Sequence, residues 1–299
     1  MTYSIVARDP ETGQFGVAVQ SHFFSVGHIV PWAEPGVGAV ATQAFAEVSY
    51  GPRGLELMRG GTSAGRALGV LVFSDKDADR RQVAMVDALG RVAAHTGERC
   101  IAEAGDRQGD GVSVQANMML NPTVPDVMLA AYLGASGDLA ERMLAALDAA
   151  EAEGGDIRGR QSAAMVVVKT KPSEKPWADR IVDLRIEDHP DPLAELRRLV
   201  QMRRAYDAVE RAEQAALQEE METAAAEYAK AEAGVGDNVE ASFWAGVSLA
   251  AAGQEESARA LLAKSFARHD GWKELLRRLP GAGMFPDDPA LIERLLEDG

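Results

Sequence analysis

Residues Thr2-Tyr3-Ser4-Ile5-Val6-Ala7 form a strand-like run that breaks at Asp9-Pro10-Glu11-Thr12-Gly13, and a second run follows over Phe15-Gly16-Val17-Ala18-Val19. Short extended patterns around a turn of Asp, Pro and Gly predict a β-hairpin. A loop from His22 to Pro35 leads to a strand from Val37 to Gln43. Helical spacing then takes over, from Pro52 to Met58 and from a cap at Thr62 or Ser63 to Phe73. A second hairpin runs from Gln82 to Asp87 and from Arg91 to Thr96 about a turn at Ala88-Leu89-Gly90, with a short strand at Val112 to Gln115. Helices are predicted from Val124 to Leu133 and from Leu139 to Glu153, where Gly154-Gly155 stops the second. The last strands, Ser162 to Lys169 and Ile181 to Glu187, flank a Pro- and Lys-rich loop from Thr170 to Trp177. Strands, two helices, strands, two helices and strands, in that order, predict an α+β fold. Its expected form is a four-layer αββα sandwich over residues 1–188, with two sheets face to face and helices outside.

His189-Pro190-Asp191-Pro192 is a break, because proline restricts itself and the residue before it. Beyond it the pattern is wholly helical, so residues 193–299 are predicted to form an all-α helical-repeat domain. Phe243-Trp244-Ala245-Gly246, Gly253, Ala258 and Leu262 resemble a tetratricopeptide helix pair. About 34 residues earlier, Ala224 and Tyr228 take the equivalent small and aromatic places, with Glu219 where the turn glycine would fall. A capping helix is expected around Trp272 to Leu279.

Composition narrows the functional classes. The 299 residues are 46% hydrophobic and 26% charged, ordinary values for a globular chain with a real core. A net charge of −15 argues against nucleic acid and anionic membrane partners, which select basic patches. Cys100 is the only cysteine, so neither a disulfide framework nor a cysteine zinc site is expected. Five histidines without matching carboxylate spacing give no metal site, and no glycine pattern matches a phosphate loop, so no cofactor is expected. The amino terminus lacks a signal-peptide pattern and no window is apolar enough to span a membrane, so the expected compartment is the cytoplasm.

Thr2 carries the sharpest chemistry. Loss of Met1 would leave a threonine whose hydroxyl can attack a carbonyl while its own amine accepts the proton. Ser21 and His22 are neighbours on a strand and point to opposite faces, which makes them a poor nucleophile–base pair. Gln115-Ala116-Asn117 ends a strand before a helical region, where the Asn117 amide could stabilise an oxyanion. Arg81-Gln82 and Arg160-Gln161 each begin a strand, and the arginine fork suits a carboxylate or amide. The alternative for both pairs is plain edge-strand polarity.

Thr2-Tyr3-Ser4-Ile5-Val6-Ala7-Arg8-Asp9, Val30-Pro31-Trp32-Ala33, Gly36-Val37-Gly38-Ala39-Val40-Ala41-Thr42-Gln43, Tyr50-Gly51-Pro52-Arg53-Gly54, His95-Thr96-Gly97 and Gly159-Arg160-Gln161-Ser162-Ala163 resemble the bacterial domain of unknown function 1028. The resemblance covers about residues 1–190. It implies the fold of the N-terminal nucleophile hydrolases, the superfamily of proteasome β subunits and several amidases. In that light Thr2, Ser21 and Asn117 are the catalytic candidates. His22, Thr42, Gln43, Arg160 and Gln161 are the candidates for holding a small amide or peptide. Ser21 stands where proteasome-like members place an aspartate, and no lysine precedes Lys76. Those two departures motivate the alternative of a non-catalytic scaffold that recognises a peptide or protein through its helical domain. The resemblance also implies a homo-oligomer, and relatives carry a similar tail described as tetratricopeptide-like or peptidoglycan-binding.

Overall fold

The structure is a computed structural model that describes residues 2–218, 220–234 and 239–297. Two antiparallel sheets carry the first part of the chain. The larger sheet orders its strands β10 (Arg180–Ile186), β9 (Ser162–Val168), β2 (Phe15–Ser21), β1 (Thr2–Arg8), β8 (Val112–Asn117) and β7 (Gly105–Gly109). The smaller orders β3 (Pro31–Glu34), β4 (Gly38–Ala44), β5 (Arg81–Asp87) and β6 (Val92–Thr96). Between the strands come helices α1 (Tyr50–Arg59), α2 (Ala64–Ser74), α3 (Val124–Gly134) and α4 (Leu139–Ala152).

Successive side chains on a strand face opposite ways, and both faces of each sheet are covered. Tyr3, Ile5 and Ala7 of β1 enter a core with Met128 of α3 and Met143, Leu144 and Leu147 of α4. On the other face Val6 joins Phe15, Val17 and Val19 of β2, Val166 of β9, and Ala39, Ala41, Ala84 and Val86 of the smaller sheet. Val40, Val83 and Met85 turn outward under Leu55, Leu68 and Leu71 of α1 and α2. This is a mixed α/β architecture with antiparallel sheets, and β1 lies well inside its sheet, paired on both sides. Of the two cap candidates for α2, Ser63 takes the role: its Oγ accepts from Arg66 N at 3.4 Å. Asp138 caps α4 by accepting from Glu141 N at 3.0 Å.

Two strands lie outside the sequence reading. β3 falls inside the expected His22–Pro35 loop, and β7 was not anticipated at all. Both are edge strands. β3 is four residues long and begins with proline, and β7 is Gly-Asp-Arg-Gln-Gly with two exposed positions. A strand this short, or this rich in glycine and exposed polar positions, writes no period into the sequence.

The chain divides into two compact units, Met1–Val200 and Gln201–Gly299. Helix α5 (Pro192–Leu217) starts at the last proline of the break, and its Leu193, Leu196 and Val200 join the α3–α4 core. The first unit therefore extends past residue 188. The second unit is helical: α6 (Met221–Gly234), α7 (Glu240–Ala251), α8 (Glu255–Phe266), α9 (Gly271–Arg278) and α10 (Pro289–Leu296). α7 and α8 meet at Gly246, where a Cβ would lie 2.7 Å from Leu262 Cγ. Phe243 stacks on Trp272 with ring centroids 4.9 Å apart. Ala224 and Tyr228 are buried on α6, whereas Glu219 and Met1 lie outside the described residues. Among the described residues no helix is long and apolar enough to cross a membrane.

Candidate active site

Strand alternation sends Thr2 and Ser4 of β1, Ser113, Gln115 and Asn117 of β8, Gln43 of β4 and Gln82 of β5 into the space between the sheets. All seven are buried. They form one connected network. Ser4 Oγ donates to Gln43 Oε1 at 2.6 Å, and Gln115 Nε2 donates to Ser4 Oγ at 2.6 Å. Gln43 Nε2 donates to Gln82 Oε1 at 2.7 Å and lies 3.3 Å from the Thr2 carbonyl oxygen. Asn117 Nδ2 reaches Gln82 Oε1 at 2.9 Å and the Thr2 carbonyl at 3.4 Å. Gln82 Nε2 serves the Ala116 carbonyl at 2.8 Å and Thr96 Oγ1 at 3.0 Å. Thr2, pinned through its carbonyl, donates from Oγ1 to Ser21 Oγ at 3.2 Å.

The loops at this end of the strands close around Thr2. His22 N donates to the buried Asp156 carboxylate at 3.0 Å, and Arg158 Nη2 pairs with the same carboxylate at 3.0 Å. Asp156 also bridges to Met119 beyond β8, which joins the α4–β9 loop to the exits of β2 and β8. His22 Nδ1 is buried with no hydrogen-bond partner among the described residues. On the other side Ala44, Phe45, Arg80, Arg99, Cys100, Ile101, Asn117 and Met118 line a cavity of about 300 Å³. Its rim includes two non-glycine residues at positive φ, Ala44 at 66° and Met118 at 59°. Such backbone outliers cost about 1–3 kcal/mol and cluster at functional sites.

The sequence candidates separate on this geometry. Thr2, Ser21, Gln43 and Asn117 come together. Thr42 is buried on the opposite face of β4, where its Oγ1 donates to the Glu47 carbonyl at 3.1 Å ahead of α1. Arg160 pairs with Glu151 at 3.3 Å and Asp191 at 3.2 Å, and Gln161 Nε2 donates to Asp188 at 3.2 Å. Neither shares a hydrogen bond with Thr2. Of the other pair, Arg81 is buried against Asp75 at 2.8 Å, while Gln82 is the centre of the network. Both hydrogens of the Asn117 amide are directed at Gln82 and Thr2, so it holds the strand end in place. Burial pushes the Cys100 thiol up and its Sγ donates to the Arg81 carbonyl at 3.4 Å, which leaves it unactivated as a nucleophile. His95 Nε2 lies 2.7 Å from the Ala78 carbonyl oxygen, a structural contact. Among the described residues no group of three His, Cys, Asp or Glu could hold a metal ion.

The Family of unknown function (DUF1028) matches residues 2–196. The chain belongs to that family. The crystal structure of protein SPO2555 from Silicibacter pomeroyi, also DUF1028, is 32% identical, with a TM-score of 0.60 over 67% of this chain and 88% of that one. No curated protein matches the chain. The family match spans every residue of the network and stops in the first turns of α5. Some of the residues that carry the family resemblance are packing residues. A Cβ at Gly51 would lie 2.3 Å from the Trp32 ring, and one at Gly97 would lie 2.4 Å from the Asp79 backbone. Ser162 of Gly159-Arg160-Gln161-Ser162 accepts from Val26 N at 3.1 Å, which anchors the loop after His22.

Arg80 and Phe45 were absent from the sequence candidates. They stand in loops, where no period marks them. The network itself had a signal, a polar residue at the inward position nearest the same end of β1, β4, β5 and β8.

Proposed function

We propose that the first unit is an αββα sandwich of the N-terminal nucleophile hydrolase kind, and that it hydrolyses a small amide or peptide with Thr2 as nucleophile. One observation carries the reading: Thr2 opens an interior strand, buried, with its hydroxyl on Ser21 and its carbonyl held by Gln43 and Asn117. A residue pinned this way loses little freedom on reaching a near-attack position. The chemistry requires a chain cut immediately before Thr2. Oγ1 then attacks the substrate carbonyl carbon and the Thr2 amine takes its proton. The C–N bond breaks, the amine passes that proton to the leaving nitrogen, and an acyl ester remains on Oγ1. Water, deprotonated by the same amine, hydrolyses the ester and restores the hydroxyl.

In this reading the site does without the lysine of proteasome-like members. It is built of neutral amides and hydroxyls, and among the described residues no carboxylate bonds to Thr2. An α-amine ordinarily titrates near ~8, so at neutral pH a usable fraction is the free base that catalysis needs. To serve an oxyanion, Asn117 would release the longer of its bonds, the 3.4 Å contact to Thr2.

We read α7 and α8 as a tetratricopeptide-like pair, on the Gly246 contact and the buried Ala258 and Leu262, which suits a peptide or protein partner.

The test is a screen of small amides and peptides against wild-type protein, Thr2→Ala and Thr2→Ser. Hydrolysis by wild type, loss of at least ~10³-fold in Thr2→Ala and partial retention in Thr2→Ser are expected. A substrate cleaved equally by Thr2→Ala would overturn the reading.

A further inference from the structure

The 300 Å³ cavity beside Asn117 carries cationic groups that the network does not use. Arg80 and Arg99 both line it, in a chain whose net charge is −15. Their neighbour Arg81 is fully engaged, buried against Asp75 and donating to the Phe45 carbonyl at 2.5 Å. Arg80 is different. Both guanidinium groups lie against the Phe45 ring, 5.5 Å from its centroid for Arg80 and 5.2 Å for Arg81, but among the described residues no carboxylate pairs with Arg80. Arg99 pairs with Asp79 at 3.2 Å, at a position where both side chains remain largely exposed. An exposed pair of this kind is worth ~1 kcal/mol or less, so Arg99 can be recruited by a ligand at little cost.

Around these guanidinium groups the lining is apolar: Ala44, Phe45, Ile101 and Met118. Phe45 and Ile101 are exposed, and the positive φ of Ala44 and Met118 sets both rim turns. Asn117 belongs to the cavity wall and its amide reaches the Thr2 carbonyl at 3.4 Å, which links the cavity to the residue proposed as nucleophile. Planar forks suit a planar carboxylate bidentately.

We propose that this cavity is the specificity pocket of the enzyme and that it takes the carboxylate of an anionic amide with an apolar side chain, of the N-acyl amino acid class. The inference rests on the Thr2 reading for its meaning in catalysis, but the binding it claims is independent of Thr2 chemistry. Arg80 supplies the principal anion contact, Arg99 a second, and Phe45, Ile101 and Met118 enclose the hydrocarbon. A neutral amide of the same shape leaves Arg80 unpaired in a partly desolvated wall and binds less well.

The experiment measures binding of N-acetyl-L-phenylalanine, N-acetyl-L-leucine and their primary amides to full-length Thr2→Ala protein by calorimetry. Neither chemistry nor turnover then enters. At least one acid is expected to bind about tenfold or more tightly than its amide, with affinity falling as salt rises. Arg80→Gln should weaken acid binding about tenfold, Arg99→Gln less, and Arg80→Lys should recover part of the loss. Equal binding of acid and amide, no binding of either, or unchanged affinity in Arg80→Gln at an unaltered melting temperature would each overturn the pocket. None of those results touches Thr2, whose failure would show in the substrate screen on wild-type protein.

Discussion

Two halves of the space between the sheets differ in everything but location. One is closed by Val6, Phe15, Val17, Val19, Val166 and Val86, wholly apolar. The other, over β1 and β8, is filled by Ser4, Gln43, Gln82, Gln115 and Asn117 around Thr2. Apolar burial contributes ~25 cal/mol per Å² without demanding direction. Buried amides return a net ~1 kcal/mol per bond and cost ~1–3 kcal/mol for each group left unpaired. The polar half is thus the poorer way to hold two sheets together, and its use here marks it as the half shaped by something other than stability. Fixing the first residue of an interior strand is what the network accomplishes.

Breaking each half separately sharpens the contrast. Phe15→Ala in the apolar half should cost about 4 kcal/mol of stability, read from urea unfolding, while the remaining folded protein keeps its reactivity at Thr2. Phe15 is 1% exposed, so nothing but packing is removed. Gln82→Leu in the polar half keeps the volume but strands the Gln43 and Asn117 amides and the Ala116 carbonyl. It should cost about 3 kcal/mol and, unlike Phe15→Ala, also slow chemistry at Thr2. A Gln82→Leu protein of unchanged stability and reactivity would reduce the network to filler.

The smallest effect belongs to a site outside both halves. The Arg81 guanidinium and the Tyr50 hydroxyl hold the Asp75 carboxyl at about 2, below its ordinary 3.8. A depressed carboxyl stabilises the folded state above its unfolded pKa and loses that contribution as pH falls through the folded value. Up to ~2 kcal/mol should therefore disappear between about pH 4 and pH 2, seen as a converging urea midpoint of wild type and Asp75→Asn.

Much of the first unit could be read from the chain because its interior strands and amphipathic helices carry periods that burial imposes. β3 and β7 could not, since β3 is four residues opening on Pro31 and β7 is bounded by Gly105 and Gly109 with two exposed positions. At the site, Thr2 and Asn117 were legible as polar residues at strand ends, and Ser21 and Gln43 through the family resemblance. Thr42 and Gln43 show the limit: adjacent letters, sent to opposite faces by the pleat, one to a loop carbonyl and one to Thr2. Arg160 and Gln161, expected to begin a strand as Arg81 and Gln82 do, lie in the loop just before β9 and pair with Glu151, Asp191 and Asp188. Which carboxylate a loop arginine meets is a tertiary fact with no local signature, and the same holds for Arg80 over Phe45.

The central claim is that Thr2 is a free amino-terminal nucleophile. The most direct test is to treat untagged protein with a β-lactone, which acylates a reactive hydroxyl, and to map the adduct by mass spectrometry of the amino-terminal peptide. An amino terminus at Thr2 carrying the acyl group on its side chain, absent from Thr2→Ala, is the predicted result. A terminus that still precedes Thr2, with no adduct on it, would contradict the account.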